Sequence, residues 1–224
     1  KPDVITLPET WNTGFFPREN LKEASDVDLE QTKKLFSRLA KEYRVNIIAG
    51  SVANCRDEKI YNTAAVFNRD GEVVMEYDKV HLFSPSGEHE YFKHGSGPCN
   101  FELDGVPCSL VICYDIRFPE LARRHAVAGA DALVVSAAWA RGEGKVDHWT
   151  TLCKARALEN TCYLMACSEH SGHDIGHSMV VDPAARILAQ SGERDELIYA
   201  DLNRDRLEDV RRILPVLKNR RITL

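Results

Sequence analysis

Short, apolar, β-rich runs recur along the chain with amphipathic helical stretches between them, and this alternation restricts the fold to mixed sheets covered by helices. The runs are Val4 to Leu7, Val45 to Ala49, Thr63 to Phe67, Val73 to Tyr77, Val106 to Ile112, Ala132 to Val135, Cys162 to Ala166, Ser178 to Val181, Ile187 to Ala189 and Leu197 to Ala200. Asn68 to Gly71 and Pro183 to Arg186 carry turn chemistry between consecutive runs, so an antiparallel hairpin is expected at each. Leu35, Phe36, Leu39, Ala40 and Tyr43 form a helical stripe, with Ser25 or Asp26 available as N-cap, and that helix should cover a sheet. Pro119 suits the first turn of a helix ending near Gly129, and Trp149, Leu152, Cys153 and Arg156 mark another that reaches about Asn160.

With 224 residues and 44% apolar content the chain can bury one sizeable core. No linker-like stretch divides it, so residues 1–224 are expected to form one domain. Lysine and arginine number 29 against 34 aspartates and glutamates, a net charge of −5 with both signs interspersed. That pattern gives no electrostatic footprint for nucleic acid or an anionic membrane, and a small-molecule or protein partner is expected instead. No apolar run approaches the roughly 18 residues of a membrane span, and no signal-like segment opens the chain. The first residue is Lys1 rather than Met, which leaves room for a targeting segment upstream. Seven cysteines, odd in number and without the spacing of a stapled scaffold, fit a reducing, cytoplasmic compartment.

The chemistry concentrates at strand ends. Ser109 to Glu120 reads as a buried strand, a sharp turn carrying Cys113, and a helix opening at Pro119, a nucleophile-elbow arrangement. Proximity to a helix N-terminus is expected to favour the thiolate over an ordinary thiol of pKa ~8.5. A single strand-end cysteine is nevertheless more often an inert core residue, and Cys55, Cys99, Cys108, Cys153, Cys162 and Cys167 keep that reading. For Cys113, two other strand ends shift the balance: Thr6-Leu7-Pro8-Glu9 closes one run with a carboxylate, and Tyr77-Asp78-Lys79 closes another with an ammonium. A thiol that attacks an amide needs a base for its proton and a donor for the developing oxyanion, which are the roles Glu9 and Lys79 can fill. Loop glutamates and lysines are ordinarily solvated, but open sheets place their sites at the ends of apolar strands.

Three separated motifs together resemble the nitrilase superfamily of carbon-nitrogen hydrolases. They are Leu7-Pro8-Glu9, Asp78-Lys79-Val80-His81-Leu82-Phe83, and Ile112-Cys113-Tyr114-Asp115-Ile116-Arg117-Phe118-Pro119-Glu120-Leu121. Gly50-Ser51, His148-Trp149, Lys154 to Asn160, Gly176-His177-Ser178 and Asp182-Pro183 extend the resemblance over nearly the whole chain. It implies a four-layer αββα sandwich with a Glu-Lys-Cys triad at Glu9, Lys79 and Cys113, a further glutamate at Glu88 (Glu90 being the neighbour it is most easily confused with), and no metal or organic cofactor. It also implies paired subunits. Family members usually begin with a further strand and helix before the position matching Lys1, a unit this sequence lacks.

The Cys-Tyr-Asp-Ile-Arg-Phe-Pro-Glu string is similar to the omega-amidase branch, which hydrolyses the terminal amide of short 2-oxo acid amides, whereas true nitrilases usually show Trp-Glu after the cysteine. An N-carbamoyl amino acid amidohydrolase or a nitrilase on the same triad is the alternative chemistry. Tyr114, Arg117 and Trp139 are candidates to line the substrate pocket, with Arg117 equally readable as a structural ion pair. Phe83 to His94 and Ala140 to Asp147 are the loops expected to shape that pocket. Two rival readings stand beside this one. A metal site draws on His89, His94, His170, His173 and His177, but the first two lie five apart, one too many for a zincin helix, and no C-x-x-C pair exists. His170-Ser171-Gly172-His173-Asp174 has no G-x-S-x-G elbow to accompany it. The other rival is a non-catalytic binding or scaffold protein on this fold, against which Glu9, Lys79 and Cys113 stand intact.

Overall fold

The structure, a computed structural model, describes residues 1–14 and 20–222. Its first sheet takes β1 (Val4–Thr6), β2 (Asp26–Val27), β3 (Asn46–Arg56), β4 (Lys59–Phe67), β5 (Val73–Asp78) and β6 (Phe92–Lys93). The spine runs β1-β3-β4-β5, with β1 parallel to β3 and the two hairpins antiparallel. The helices of this half are α1 (Leu21–Ala24), α2 (Glu30–Tyr43) and the single turn α3 (Glu88–Tyr91). The second sheet takes β7 (Asn100–Leu103), β8 (Val106–Ile112), β9 (Ala132–Ala137), β10 (Tyr163–Ser168), β11 (Met179–Val181) and β12 (Ile187–Gln190), hydrogen-bonded in sequence order. Helices α4 (Pro119–Val127) and α5 (Lys145–Asn160) connect its parallel strands β8, β9 and β10, and α6 (Arg204–Ile213) and α7 (Val216–Asn219) follow.

Alternate residues of β4 belong to different cores, as a strand buried on both faces requires. Ala65 and Phe67 pack with Ile47, Ala49, Val52 and the α2 residues Phe36 and Ala40. Ala64 and Val66 join a larger cluster with Phe101, Leu110, Ile112, Leu133 and Val135 of the second sheet and Trp149, Cys153 and Ala157 of α5. Helix, sheet, sheet and helix therefore stack in four layers, the αββα sandwich expected. Both hairpins form at the anticipated turns, and α4 and α5 end within two residues of their expected limits.

Three details differ from expectation. Leu197 to Ala200 forms no strand: among the described residues no strand lies beside it, and Leu197 and Tyr199 stand 81% and 70% exposed. A β-prone tetrapeptide becomes a strand only where a neighbour supplies the ladder. In α2 the buried stripe narrows to Thr32, Phe36 and Ala40, leaving Leu35 and Tyr43 in solvent. That helix begins after Leu29, and Asp26 caps it from upstream, its carboxylate accepting the backbone N–H groups of Gln31 (3.0 Å) and Thr32 (2.8 Å). The Ser25 hydroxyl instead donates to Leu21 O.

Candidate active site

Three strand ends converge where the two sheets face each other. Glu9 follows β1, Lys79 follows β5 and Cys113 follows β8, and Glu9 and Lys79 are fully buried while Cys113 is 6% exposed. The Lys79 ammonium donates to Glu9 Oε1 at 2.8 Å and to both oxygens of Glu88 at 3.0 and 2.9 Å. Glu88, 1% exposed in the turn of α3, also accepts the backbone N–H of Phe83. Glu90 beside it points into solvent, which resolves the confusion between the two. Glu9 Oε2 accepts the Ala138 N–H at 2.9 Å, and Ala138 O lies 3.8 Å from the Cys113 sulfur. One residue, the first past β9, thus touches both the carboxylate and the thiol.

Backbone geometry explains why these positions fall here. Cys113 has φ +44°, a left-handed conformation that turns its side chain out of β8 at the start of a 3-10 turn, Cys113–Arg117. Asp115 secures that turn: its carboxylate accepts from the Ile112 N–H (3.0 Å), the Tyr77 hydroxyl (2.8 Å) and the His81 N–H (2.8 Å), tying the elbow to the strand that carries Lys79. Glu9 is delivered by a close approach of two backbones. Gly50 has φ +65°, and a Cβ there would lie 2.0 Å from Pro8 O. Gly50→Ala is therefore expected to cost roughly 2–4 kcal/mol and to push Glu9 off Lys79, which thermal melting and turnover measured together would show.

Two carboxylates against one ammonium leave the buried group with a net charge of −1. Burial alone would lower the Lys79 pKa, but Glu9 and Glu88 outweigh it and hold the ammonium above the ordinary lysine range. Burial raises Glu9, with Lys79 opposing and Glu88 adding. Burial and the facing Glu9 charge lift Cys113 well above an ordinary thiol, and Lys79 offsets only part of this. This direction is opposite to the lowering expected from a helix start.

Some contributors escape a sequence reading. Asn62, fully buried in β4, donates its side-chain N–H groups to Glu9 Oε1 (2.8 Å) and Glu88 Oε1 (3.1 Å), holding the two carboxylates around the ammonium. Its only signal is a polar residue beside an apolar strand run. Above Cys113 opens a small cleft lined by Phe83, Tyr114, Arg117, Trp139, Ala140 and Lys145. It includes all three anticipated pocket residues, and Arg117 stacks over the Trp139 ring at 4.7 Å rather than entering a structural ion pair among the described residues. Those residues also contain no group of three or more His, Cys, Asp or Glu side chains arranged to hold a metal ion.

The Carbon-nitrogen hydrolase family model matches residues 1–212. The chain belongs to that family. The 2-oxoglutaramate amidase of Bacillus subtilis is 40% identical to it over 96% of this chain and 83% of the relative. Among solved structures, Saccharomyces cerevisiae Nit3, a member of branch 10 of the nitrilase superfamily, superposes with a TM-score of 0.89 at 32% identity, covering 98% of this chain and 83% of that one. A mutant amidase from Nesterenkonia sp. AN1, carrying acrylamide added at its active-site cysteine, superposes at 0.81 with 29% identity over 95% and 85% of the two chains. Membership agrees with the sandwich and with an enzyme that hydrolyses carbon-nitrogen bonds. No helix among the described residues is long and apolar enough to cross a membrane.

Proposed function

We propose that this carbon-nitrogen hydrolase cleaves the terminal amide of a small carboxylic or 2-oxo acid, with Cys113 as nucleophile, Glu9 as proton carrier and Lys79 as oxyanion donor. The single observation that supports it best is the buried Glu9–Lys79–Glu88 group set against the Cys113 thiol at the floor of the cleft. Glu9 accepts the thiol proton as sulfur attacks the amide carbon. The Lys79 ammonium and the Tyr114 backbone N–H stabilise the resulting oxyanion, with Glu88 and Asn62 holding Lys79 in line. Collapse breaks the C–N bond, and Glu9 hands its proton to the departing ammonia, leaving a Cys113 thioester. Water then attacks the thioester carbon while Glu9 takes its proton, the C–S bond breaks, and the proton returns to sulfur. No step needs a metal or organic cofactor.

Because the thiol starts protonated, Glu9 must be ionised for attack to begin. A base whose pKa is raised is lost as pH falls through that raised value, so the acid limb of kcat/KM is expected above the ordinary glutamate range. A pH profile with its acid limb below pH 4.5, the ordinary value, would contradict this assignment. The acyl side of the reading draws on Arg117 at the cleft and on the relative named as a 2-oxoglutaramate amidase. It extends to a one-domain enzyme in a reducing, cytoplasmic setting, supported by seven free thiols, and to paired subunits, on family resemblance alone.

A panel of 2-oxo acid amides, N-carbamoyl amino acids and nitriles, each followed by ammonia release, tests the proposal. Preferred turnover of the 2-oxo acid amides is expected. Preference for carbamoyl compounds or nitriles would move the substrate elsewhere on the same triad, and silence towards all three would favour the scaffold reading.

A further inference from the structure

Lys145 is the first residue of α5, and its ammonium faces the cleft that holds the Cys113 sulfur. Its position is fixed from several sides. The Trp139 indole N–H donates to Lys145 O at 3.0 Å, the Lys145 N–H donates to Gly142 O at 3.2 Å, and the ammonium sits 5.3 Å from the Phe83 ring centre and 5.9 Å from that of Trp139. Arg117 approaches the same indole at 4.7 Å. Two cations therefore flank one aromatic ring at the cleft, and among the described residues neither forms an ion pair with a carboxylate. Elsewhere the arginines and lysines that reach inward are matched: Arg56 with Asp78, Arg156 with Glu159, Arg211 with Asp131, Lys79 with two glutamates. Burial and the facing guanidinium lower the Lys145 pKa, as expected of a cation held near a like charge with no counter-ion. The N-terminus of the 16-residue α5 adds positive potential at the same place.

We propose that Lys145 is a specificity-determining residue that binds an anionic group, a carboxylate on the acyl portion of the substrate, and so selects acid amides over neutral amides of the same length. This rests on the amidase reading above and goes beyond it by assigning the charge selection to one side chain at the start of α5. The aromatic walls of Phe83 and Trp139 pass the acyl chain between the thiol and the cation, and the anion relieves the repulsion between Lys145 and Arg117. Lysine in this position supplies a single charge on a flexible stem, suited to a carboxylate approached from one side.

The test compares the wild-type protein with Lys145→Met, which keeps the stem on the aromatic rings, and with Lys145→Arg, which keeps the charge. Glutaramate and 2-oxoglutaramate are the anionic amides, and pentanamide is the neutral one. Lys145→Met is expected to raise KM for the anionic amides about 10- to 100-fold with kcat within about twofold, and to leave pentanamide unchanged or better. Lys145→Arg should restore most of the loss. Equal losses on both substrate types, or none on the anionic ones, would overturn the proposal. Binding of glutarate by calorimetry gives a readout that does not need turnover: Lys145→Met should weaken it by a similar factor, and unchanged binding would overturn the proposal even in a protein that hydrolyses none of these amides. Wild-type turnover of pentanamide as fast as of the acid amides would instead count against the acid-amide reading itself.

Discussion

Cys113→Ala is expected to lower ammonia release by a factor on the order of 10⁴ or more while the protein melts within a few degrees of wild type. The asymmetry follows from the structure. The sulfur's polar partners are Ala138 O at 3.8 Å and the Glu9 carboxylate, and its loss leaves the ion pairs of Lys79 with Glu9 and Glu88 intact. The chemistry has no substitute for it: alanine offers no atom to carry the acyl group, and no other cysteine lines the cleft. Residual activity within tenfold of wild type would remove Cys113 from the mechanism. Speed of alkylation is a poorer guide, since burial and the facing Glu9 charge raise the thiol's pKa and disfavour the thiolate that alkylation needs.

Lys79→Met is expected to abolish turnover and to destabilise the fold together, which distinguishes it from the cysteine variant. Removing the ammonium leaves Glu9 and Glu88, 0% and 1% exposed, facing each other without a counter-charge. Breaking a buried pair in this way costs about 3–5 kcal/mol, or roughly 6–20 °C of melting temperature for a chain of this size. Adding Glu9→Gln and Glu88→Gln to the same chain removes the stranded charges, so the triple variant should regain most of the lost stability and none of the activity. A single Lys79→Met variant that melts like wild type would mean the two carboxylates are not held as ions.

Sequence carried the candidate residues at the floor of the cleft because each comes at the end of an apolar run. Glu9, Lys79 and Cys113 are charged or nucleophilic side chains within two residues of such runs, and the family resemblance of the Gly87 to Gly95 segment pointed to Glu88. What it could not carry are properties of the assembled group. Asn62 is an ordinary polar residue in a strand until β4 brings it between two carboxylates. Lys145 sits in the Ala140 to Asp147 segment expected to shape the pocket, but only the placement of Trp139 and Phe83 singles it out and gives its charge a direction. The upward shift of the Cys113 thiol is likewise a property of the assembled group: a helix start argues for a lower pKa locally, whereas burial and the facing Glu9 charge raise it. Leu197 to Ala200 shows the limit for the fold, since its β-prone composition cannot tell whether a partner strand lies alongside.

The central claim is that an acyl group passes through the Cys113 sulfur. Acid quenching of the wild-type protein during turnover of 2-oxoglutaramate, followed by peptide mass mapping, tests it directly. The expected result is a thioester adduct on the peptide containing Cys113, absent from Cys113→Ala. An adduct on Cys55, Cys99, Cys108, Cys153, Cys162 or Cys167 instead, or ammonia release by Cys113→Ala at the wild-type rate, would contradict the account.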